Sequence, residues 1–443
     1  MRIQLSDHFG YGRMLRFVAP SVVMMIFTSI YNVVDGFFVS NFVGKVPFAA
    51  INLMMPLFIF MMALGFMLGT GGSAIVAQTL GEGKKELANR YFSLLIYANL
   101  AAGTFITVLG LLGLERIAVW LGARGEMLDN CILYGRVILP SMPLFLLQST
   151  FQSFFVTAEK PKLGLAFTVA AGGANIVLDA LFVMVFRWGL AGAAAATTAS
   201  VAVGGLGPLV YFSRRNDSLL RLGGTEVMAG ILIQSCVNGS SELMSTLSGS
   251  VVTVLYNHQL MNLAGDDGVA AFGVILYLSF IFTAVFMGYS VGIAPVIGYH
   301  YGAGNVLELQ SLFRKGLTLI AAAGTAMLCV SLLASGPLTG IFVGYDPALR
   351  EMTLRGMRIY GLSFLFCGFN IFGSAFFTAL GDGITSAVIS FLRTLVFESS
   401  SVMLVPLVFG LDGVWGSVIA AELLALGVTA LSFAMKKKRY GYI

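Results

Sequence analysis

Charge is what this chain has least of. Asp, Glu, Lys and Arg together make up 11% of its 443 residues, less than half of the share of roughly 25% in an ordinary soluble protein. Scarce charge with abundant apolar residues excludes a disordered chain. Cysteine is scarce too. Cys131, Cys236, Cys329 and Cys367 lie far apart with no Cys-x-x-Cys spacing, which excludes a secreted disulfide scaffold and leaves small buried thiols. His8, His258 and His300 are scattered, so no His/Cys metal cluster is legible. Gly-x-Ser-x-Gly, His-Glu-x-x-His and a Walker-type loop are missing, and an ATP-driven pump therefore has no engine here. The net charge of +5 is modest, which argues against a nucleic-acid partner.

What is present is apolar length. Hydrophobic residues make up 58% of the chain, and the mean hydropathy is +0.89. A bilayer-crossing helix takes about 20 apolar residues. Twelve such spans read out, at residues 14–40, 50–77, 91–113, 131–155, 163–186, 190–212, 228–255, 270–297, 313–334, 357–380, 385–408 and 413–435. Backbone groups in lipid must pair within their own segment, so each span is helix. The expected fold is all-α integral membrane. Polar breaks fall at Gly81–Lys85, Glu159–Lys162, Ser213–Asp217 and Gly302–Asn305.

Lys and Arg in the short loops set the orientation. Seventeen lie on the side of the N-terminus, among them Lys84, Lys85, Arg214, Arg215 and Lys436–Arg439, against seven on the other. Both termini are thus expected in the cytoplasm, with the chain multi-pass in the membrane. The opening MRIQLSDHFGYGR lacks the apolar core of a cleaved signal peptide and reads as an amphipathic lead-in.

The chain repeats itself at an offset of 221. Gly44, Ala49 and Ala50 fall on Gly265, Ala270 and Ala271; Gly71, Gly81 and Gly83 on Gly292, Gly302 and Gly304; Phe155, Thr157 and Ala158 on Phe376, Thr378 and Ala379; Gly189, Leu190 and Gly192 on Gly410, Leu411 and Gly413. Six spans per unit give both halves the same orientation, with the symmetry axis along the membrane normal. Two six-helix lobes are expected, residues 1–212 and 227–443, joined by a cytoplasmic linker at 213–226. Such a pair with a central cleft is the architecture of an alternating-access transporter.

Charge inside a membrane costs on the order of 3 kcal/mol per residue and needs a reason. The acids are Asp35, Asp179, Glu242, Glu398 and Glu422, with Arg136 and Arg393 as basic counterparts. Asn32 and Asp35 lie one turn apart on one helix face, and so do Asn175 and Asp179 on another. Carboxylate, amide and hydroxyl oxygens suit a hard cation, and desolvated carboxylates also hold protons. A cation site in the first lobe and plain helix–helix hydrogen bonding are both open readings. The repeat places Tyr256 and Ser400 where the first half has Asp35 and Asp179, and that asymmetry favours the cation site. Glu242 is read either as a cleft residue attracting cationic cargo or as a protonated, hydrogen-bonded carboxyl. Arg393 and Glu398 are too oblique on one helix to pair, so each needs a partner elsewhere. Structural pairing is the reading for Glu422, and snorkelling for Arg136. Gln148 and Gln152 join Asn32 and Glu242 as candidate substrate-cleft residues. The 21 Met and 12% aromatics suit adaptable apolar walls, in a cleft or facing lipid.

The runs YNVVDGFFVSNFVG, GTGGSAIVAQTLGEGK, NIVLDALFV, GLAGAAAATTAS and NGSSELMSTLSGSVVTVLYN, in this order and spacing, resemble the multidrug and toxic compound extrusion (MATE) transporters, in a bacterial branch. The resemblance covers essentially the whole chain. It implies a V-shaped, twelve-helix antiporter in the inner membrane of a bacterium that is not an enzyme and expels small organic, often cationic molecules against entry of Na⁺ or H⁺. It further implies a cation-coupling set at Asp35, Asn175, Asp179, Thr197 and Tyr134, with Asp35, Asn175, Asp179 and Thr197 as ligands if the ion is Na⁺. Another branch uses acids on helices 7 and 10 of the second lobe. Glu242 matches the first, but span 357–380 holds no acid, and Asp382 lies just past its end. No organic cofactor is expected beyond the coupling ion, and the expected partners are small molecules and membrane lipid around a monomer. The alternative is a flippase or exporter of a lipid-linked or endogenous metabolite, which would need a broad cationic cleft. A membrane enzyme would need a residue cluster at one interface, and a receptor would bind without transport.

Overall fold

A computed structural model describes residues 3–443 of the chain, apart from the side chains at 32, 33, 35–37, 39–41 and 45. Asn32 and Asp35 are among those, so these two candidates lie outside the described residues. Their backbone belongs to a long first helix. That helix, α1, runs Tyr11–Phe42, followed by α2 at Lys45–Gly81 and α3 at Lys85–Trp120. Next come α4 at Glu126–Thr157, α5 at Pro161–Val185 and α6 at Gly189–Ser213. One continuous run, Ala229–Gly302, holds α7 (229–264) and α8 (266–302), divided by Gly265 at φ 63°, ψ −149°. The chain ends with α9 at Val306–Val343, α10 as two rods, Pro347–Gly361 and Phe364–Ala379, bent by 50°, then α11 at Gly383–Leu404 and α12 at Pro406–Tyr440. Among the described residues there is no strand.

Among the described residues, ten helices are long and apolar enough to cross a membrane, and eleven if the bent α10 is one span. The break at Gly265 turns the 74-residue run into two crossings, which makes twelve. The helices overrun the spans read from the sequence. Helix α10 starts at Pro347 rather than 357, because the Asp346 carboxylate caps it by accepting from the N–H groups of Ala348 and Leu349. Its first turns carry Arg350, Arg355 and Arg358, which end an apolar run without ending a helix. Likewise α9 starts at Val306, capped by the Asn305 side chain accepting from the Glu308 N–H.

The repeat is visible in the backbone. Three pairs of glycines with positive φ sit 221 residues apart: Gly44 and Gly265 (φ 110° and 63°), Gly83 and Gly304 (79° and 66°), Gly189 and Gly410 (both 58°). Each marks a turn between helices that a side chain would strain. The fourth helix of each half also breaks at matching places, by a 3₁₀ turn at Leu139–Ser141 and by the bend after Gly361.

The halves meet toward the end of the bundle that carries the basic loops. Backbones touch there through glycine. A methyl at Gly71 or Gly81 would overlap the carbonyl oxygens of Ser235 or Tyr299, and one at Gly239 or Gly302 those of Met67 or Gln78. The Gln78 amide donates to the Ala379 carbonyl at 2.7 Å, and Asn238 donates to the carbonyls of Thr378 (2.9 Å) and Gly71 (3.2 Å). Farther along, Gly288 and Gly292 rest on α1 at Val22 and Val18. Toward the opposite end the core of the first half, around Met54, Tyr134 and Leu146, is its own cluster.

Residues 3–9 bridge both halves at the basic end, with Gln4, Ser6 and His8 exposed. Leu5 and Phe9 are fully buried. The Leu5 N–H donates to Glu159 at 2.7 Å, and the Phe9 N–H to Glu308 at 2.8 Å. His8 Nδ1 stands 2.6 Å from Glu308, and the Lys315 ammonium donates to the Phe9 carbonyl at 2.6 Å.

Candidate functional site

Above the glycine contacts, the two halves enclose a cavity. Thr70 and Ser73 of α2 and Ser153 of α4 face Glu242 of α7, Met287, Ser290, Val291 and Ala294 of α8, and Ile371, Ala375 and Thr378 of α10. Thr70 and Ser73 return their hydroxyl protons to carbonyls of their own helix. The hydroxyls of Ser153 and Ser290 are buried and make no hydrogen bond among the described residues. Among the described residues, only Glu242 brings a charge-bearing group to the wall. Its backbone carbonyl accepts from Thr246 at 2.9 Å, but its carboxyl makes no hydrogen bond or ion pair among the described residues. The cavity holds about 40 Å³, the room of about one water; it is mostly apolar with one acid, a wall that suits a lipophilic cation once the halves part.

The first-half candidates lie deeper in their own bundle. Helix α5 packs on α1, where a methyl on Gly172 would stand 2.6 Å from the Phe27 ring and 3.0 Å from that of Tyr31. One and two turns on, along the same face, come Asn175 and Asp179, 2% and 0% exposed. The Asn175 Oδ1 has no hydrogen-bond donor among the described residues. Helix α5 changes to a π-helical winding at Ala180–Val185, directly after Asp179. Such windings widen a helix locally and recur at functional sites. Tyr134 is buried, its ring edge-on to Phe58 at 5.7 Å, and packs in one cluster with Val183 of α5 and Ala193 and Ala194 of α6. Thr197 is one turn beyond, donating to the Ala193 carbonyl at 3.1 Å. Helices α4, α5 and α6 are tied together beside it, by Thr198 donating to Val137 and Ser200 to Ala171. Asn175 and Asp179 thus share a face, and Tyr134 and Thr197 flank it on neighbouring helices.

The four cleft candidates do not share one space. Gln148 and Gln152 line a crevice inside the first half with Phe151, Phe155, Gly164, Phe167, Thr168, Gly204 and Pro208. Glu242 lines the cavity between the halves, and Asn32 is outside the described residues. Helix rotation explains the separation. Ser153 turns to the inter-half cavity, so Gln152, about 100° away, turns toward α5 and α6. Gln148 closes over Gly204.

The second half holds a locked pair of buried charges. Arg393 on α11 grips Glu422 on α12 with three contacts of 2.7–3.1 Å. The Asn370 amide adds a donor to Glu422 at 2.7 Å and accepts from Thr429 at 2.8 Å. Glu398, at the end of a second π-helical stretch, Leu392–Glu398, stays outside this pair. Arg136 is exposed, as snorkelling requires.

Sequence reasoning missed three polar junctions at the basic end. Asp382 caps α11 and accepts from the Tyr440 hydroxyl at 2.9 Å, with Lys436 at 3.2 Å. Burial acts to raise its pKa, but the hydrogen bonds from Tyr440, Thr385 and Lys436 outweigh that and hold it below 3.8. Glu308 was findable, because Asn305-x-x-Glu308 has capping-box spacing. The contact of Glu159 with Leu5, 154 residues away, carries no local signal.

Comparison with known proteins agrees with this architecture. A MatE family model matches residues 20–181 and 242–400. The chain is 24% identical over 440 residues to the multidrug export protein MepA of Staphylococcus saprophyticus, covering 96% of this chain and 94% of that one. It is 26% identical over 424 residues to MepA of Staphylococcus haemolyticus, covering 93% and 90%. Among solved structures, a MATE protein in complex with MaL6 superposes with a TM-score of 0.92 at 24% identity over 98% of both chains. An outward-facing multidrug resistance MATE family transporter of the MOP superfamily gives 0.92 at 23% identity, again over 98% of both.

Proposed function

The chain belongs to the MatE family, and from that premise we propose that it is a secondary antiporter exporting organic, cationic or lipophilic compounds against entry of H⁺ or Na⁺. The observation that carries the reading is the cavity between the halves, mostly apolar and walled by a single acid, Glu242. The MepA relatives, named for multidrug export, support the same cargo class. The coupling set is Asp35, Asn175, Asp179, Thr197 and Tyr134. The bodies that move are residues 1–212 and 227–443, with 213–226 between them, both termini facing the cytoplasm of a bacterial cell and the protein acting as a monomer without an organic cofactor.

The two sites divide the work. Cargo takes the space that opens from this cavity as the halves part, while the ion sits in the first half against α1. Because Gly288 and Gly292 of α8 also rest on α1, a change in α1 packing reaches the interface that closes the basic end. Ion binding must separate the two states by a few kcal/mol to reverse their populations. Among the described residues no Lys or Arg lines the cavity, and Arg393 is consumed by Glu422, which leaves a phosphate-bearing lipid cargo without a counter-charge.

Efflux of a fluorescent organic cation from proteoliposomes, with a Na⁺ or a pH gradient imposed one at a time, tests the proposal. One of the gradients should drive efflux above leak, and Glu242→Gln should weaken transport of cationic dyes more than of neutral ones. Neither gradient moving the dye would overturn antiport. Unchanged dye handling in Glu242→Gln would remove cargo from its wall.

A further inference from the structure

The hydroxyl groups around the cavity between the halves are not treated alike. Thr70 and Ser73 of α2 donate to carbonyls of their own helix at 2.9 and 3.0 Å. The Thr378 hydroxyl of α10 stands 2.8 Å from that of Ser386. These three are satisfied before any cargo arrives. Ser153 of α4 and Ser290 of α8, each 2% exposed, line the same cavity. Their hydroxyl oxygens have no hydrogen-bond partner among the described residues. Buried polar groups are paired in the large majority of cases, so one left over needs an explanation. Other serines are left over as well, Ser21 and Ser331 for example. What sets Ser153 and Ser290 apart is that they come from opposite halves and border one space together with Glu242.

The repeat shows that neither hydroxyl belongs to the common scaffold. The counterpart of Ser153 in the second half is Ser374. There the hydroxyl stands 2.8 and 2.9 Å from those of Ser386 and Ser390. The first half has Leu165 and Val169 at these two places. It keeps the serine and drops its partners. The counterpart of Ser290 is Gly69, so the same helix turn forms without a hydroxyl. Helix packing therefore explains neither.

We propose that Ser153 and Ser290 are specificity-determining residues that bind an oxygen of the cargo, and that the preferred cargo is an organic cation carrying a hydroxyl, carbonyl or ether group. This deepens the export reading and rests on it, since the cavity has to be where cargo passes. The space, about 40 Å³ with the halves closed, widens as they part. Each serine then donates to the cargo oxygen, or accepts where the cargo brings a hydroxyl of its own. Glu242 meets the charge and the serines meet the oxygen. A hydrocarbon cation of the same size satisfies the acid alone. Hydrogen bonds to groups otherwise left unpaired separate two such cargoes, and specificity is that difference in affinity.

Two radiolabelled triphenylphosphonium ions test this, one bearing a para-hydroxymethyl-phenyl group and the other a para-ethyl-phenyl group, so that a hydroxyl replaces a methyl. Equilibrium binding to the full chain in lipid nanodiscs, with empty nanodiscs as the blank, gives the ratio of their affinities. The ratio should fall several-fold in Ser153→Ala/Ser290→Ala, because only the hydroxymethyl compound loses a contact. An unchanged ratio overturns the proposal. Should the double variant fail to fold, Ser290→Ala decides alone: a smaller ratio supports the proposal, and the wild-type ratio overturns it. Binding of neither compound to the wild-type protein overturns the export reading and this proposal with it. Binding of both with a ratio indifferent to the serines overturns this proposal alone.

Discussion

The two halves share a backbone and differ in how they treat buried charge. Glycines recur at the same turns, 44 with 265, 83 with 304 and 189 with 410, in the same left-handed conformation. The polar residues do not recur. Asp35 and Asp179 face Tyr256 and Ser400 across the repeat, while Arg393 and Glu422 stand where the first half has Gly172 and Val201. At Gly172 the missing side chain lets the rings of Phe27 and Tyr31 close on α5. At Arg393 a guanidinium fills that place and is neutralised across the bundle. One scaffold thus carries a locked Arg393–Glu422 pair in the second half and apolar residues at the matching positions of the first. Backbone geometry is held by glycine, and chemical role is set by what is added to it.

The comparison breaks first at Asp179. Asp179→Asn should cut gradient-driven dye efflux to the level seen without a gradient, at equal amounts of protein in the membrane; wild-type efflux would mean the first half holds no coupling acid. Next comes the locked pair. Arg393→Met leaves Glu422 buried without its cation and should cost about 3–5 kcal/mol, with Arg393→Met/Glu422→Met recovering much of it. Thermal unfolding in detergent measures both, and a single variant as stable as wild type would end the contrast between the halves. A smaller effect is expected where the halves touch. A valine at position 239 collides with the Met67 backbone and should cost about 1–3 kcal/mol of the closed basic end. Maleimide labelling of Cys236, half-buried close by, should speed up in Gly239→Val and stay unchanged in Gly249→Ala, where the added methyl meets open space.

The smallest effect belongs to Asp382. Its pKa is lower folded than unfolded, so its stabilisation is present above the unfolded value and lost as pH falls through the folded one. Asp382→Asn keeps a capping side chain but loses the charge that Tyr440 and Lys436 meet, and should flatten the acid limb of a melting-temperature profile; an unchanged acid limb would remove that charge from the account.

Much of the fold was legible because lipid leaves a chain few options. Long apolar runs gave the crossings, and the shared offset placed the turns at glycines whose φ is indeed positive. Helix ends were not legible where amphipathic turns continue past the apolar run, as at Pro347–Gly361. The acids were easy to find and their partners were not. The spacing of Arg393 and Glu398 excluded a local pair, but nothing in the sequence pointed to Glu422, 29 residues on from Arg393. Gln148 and Gln152 were assigned to the cleft on residue type, and the rotation of α4 turns them inward instead. Residues 3–9 read as an amphipathic lead-in, but their partners were not legible, because contacts at sequence separations of 154 and 299 leave no periodic trace.

The central claim is that acids of the first half trade a small ion for cargo. Vesicles loaded with an organic cation, with no ion gradient imposed and with dyes reporting external H⁺ and Na⁺, test it most directly. As cargo leaves, the wild-type protein should draw one of these ions inward in fixed proportion, and Asp35→Asn should show no such uptake. Ion uptake in Asp35→Asn equal to that of the wild type would contradict the account.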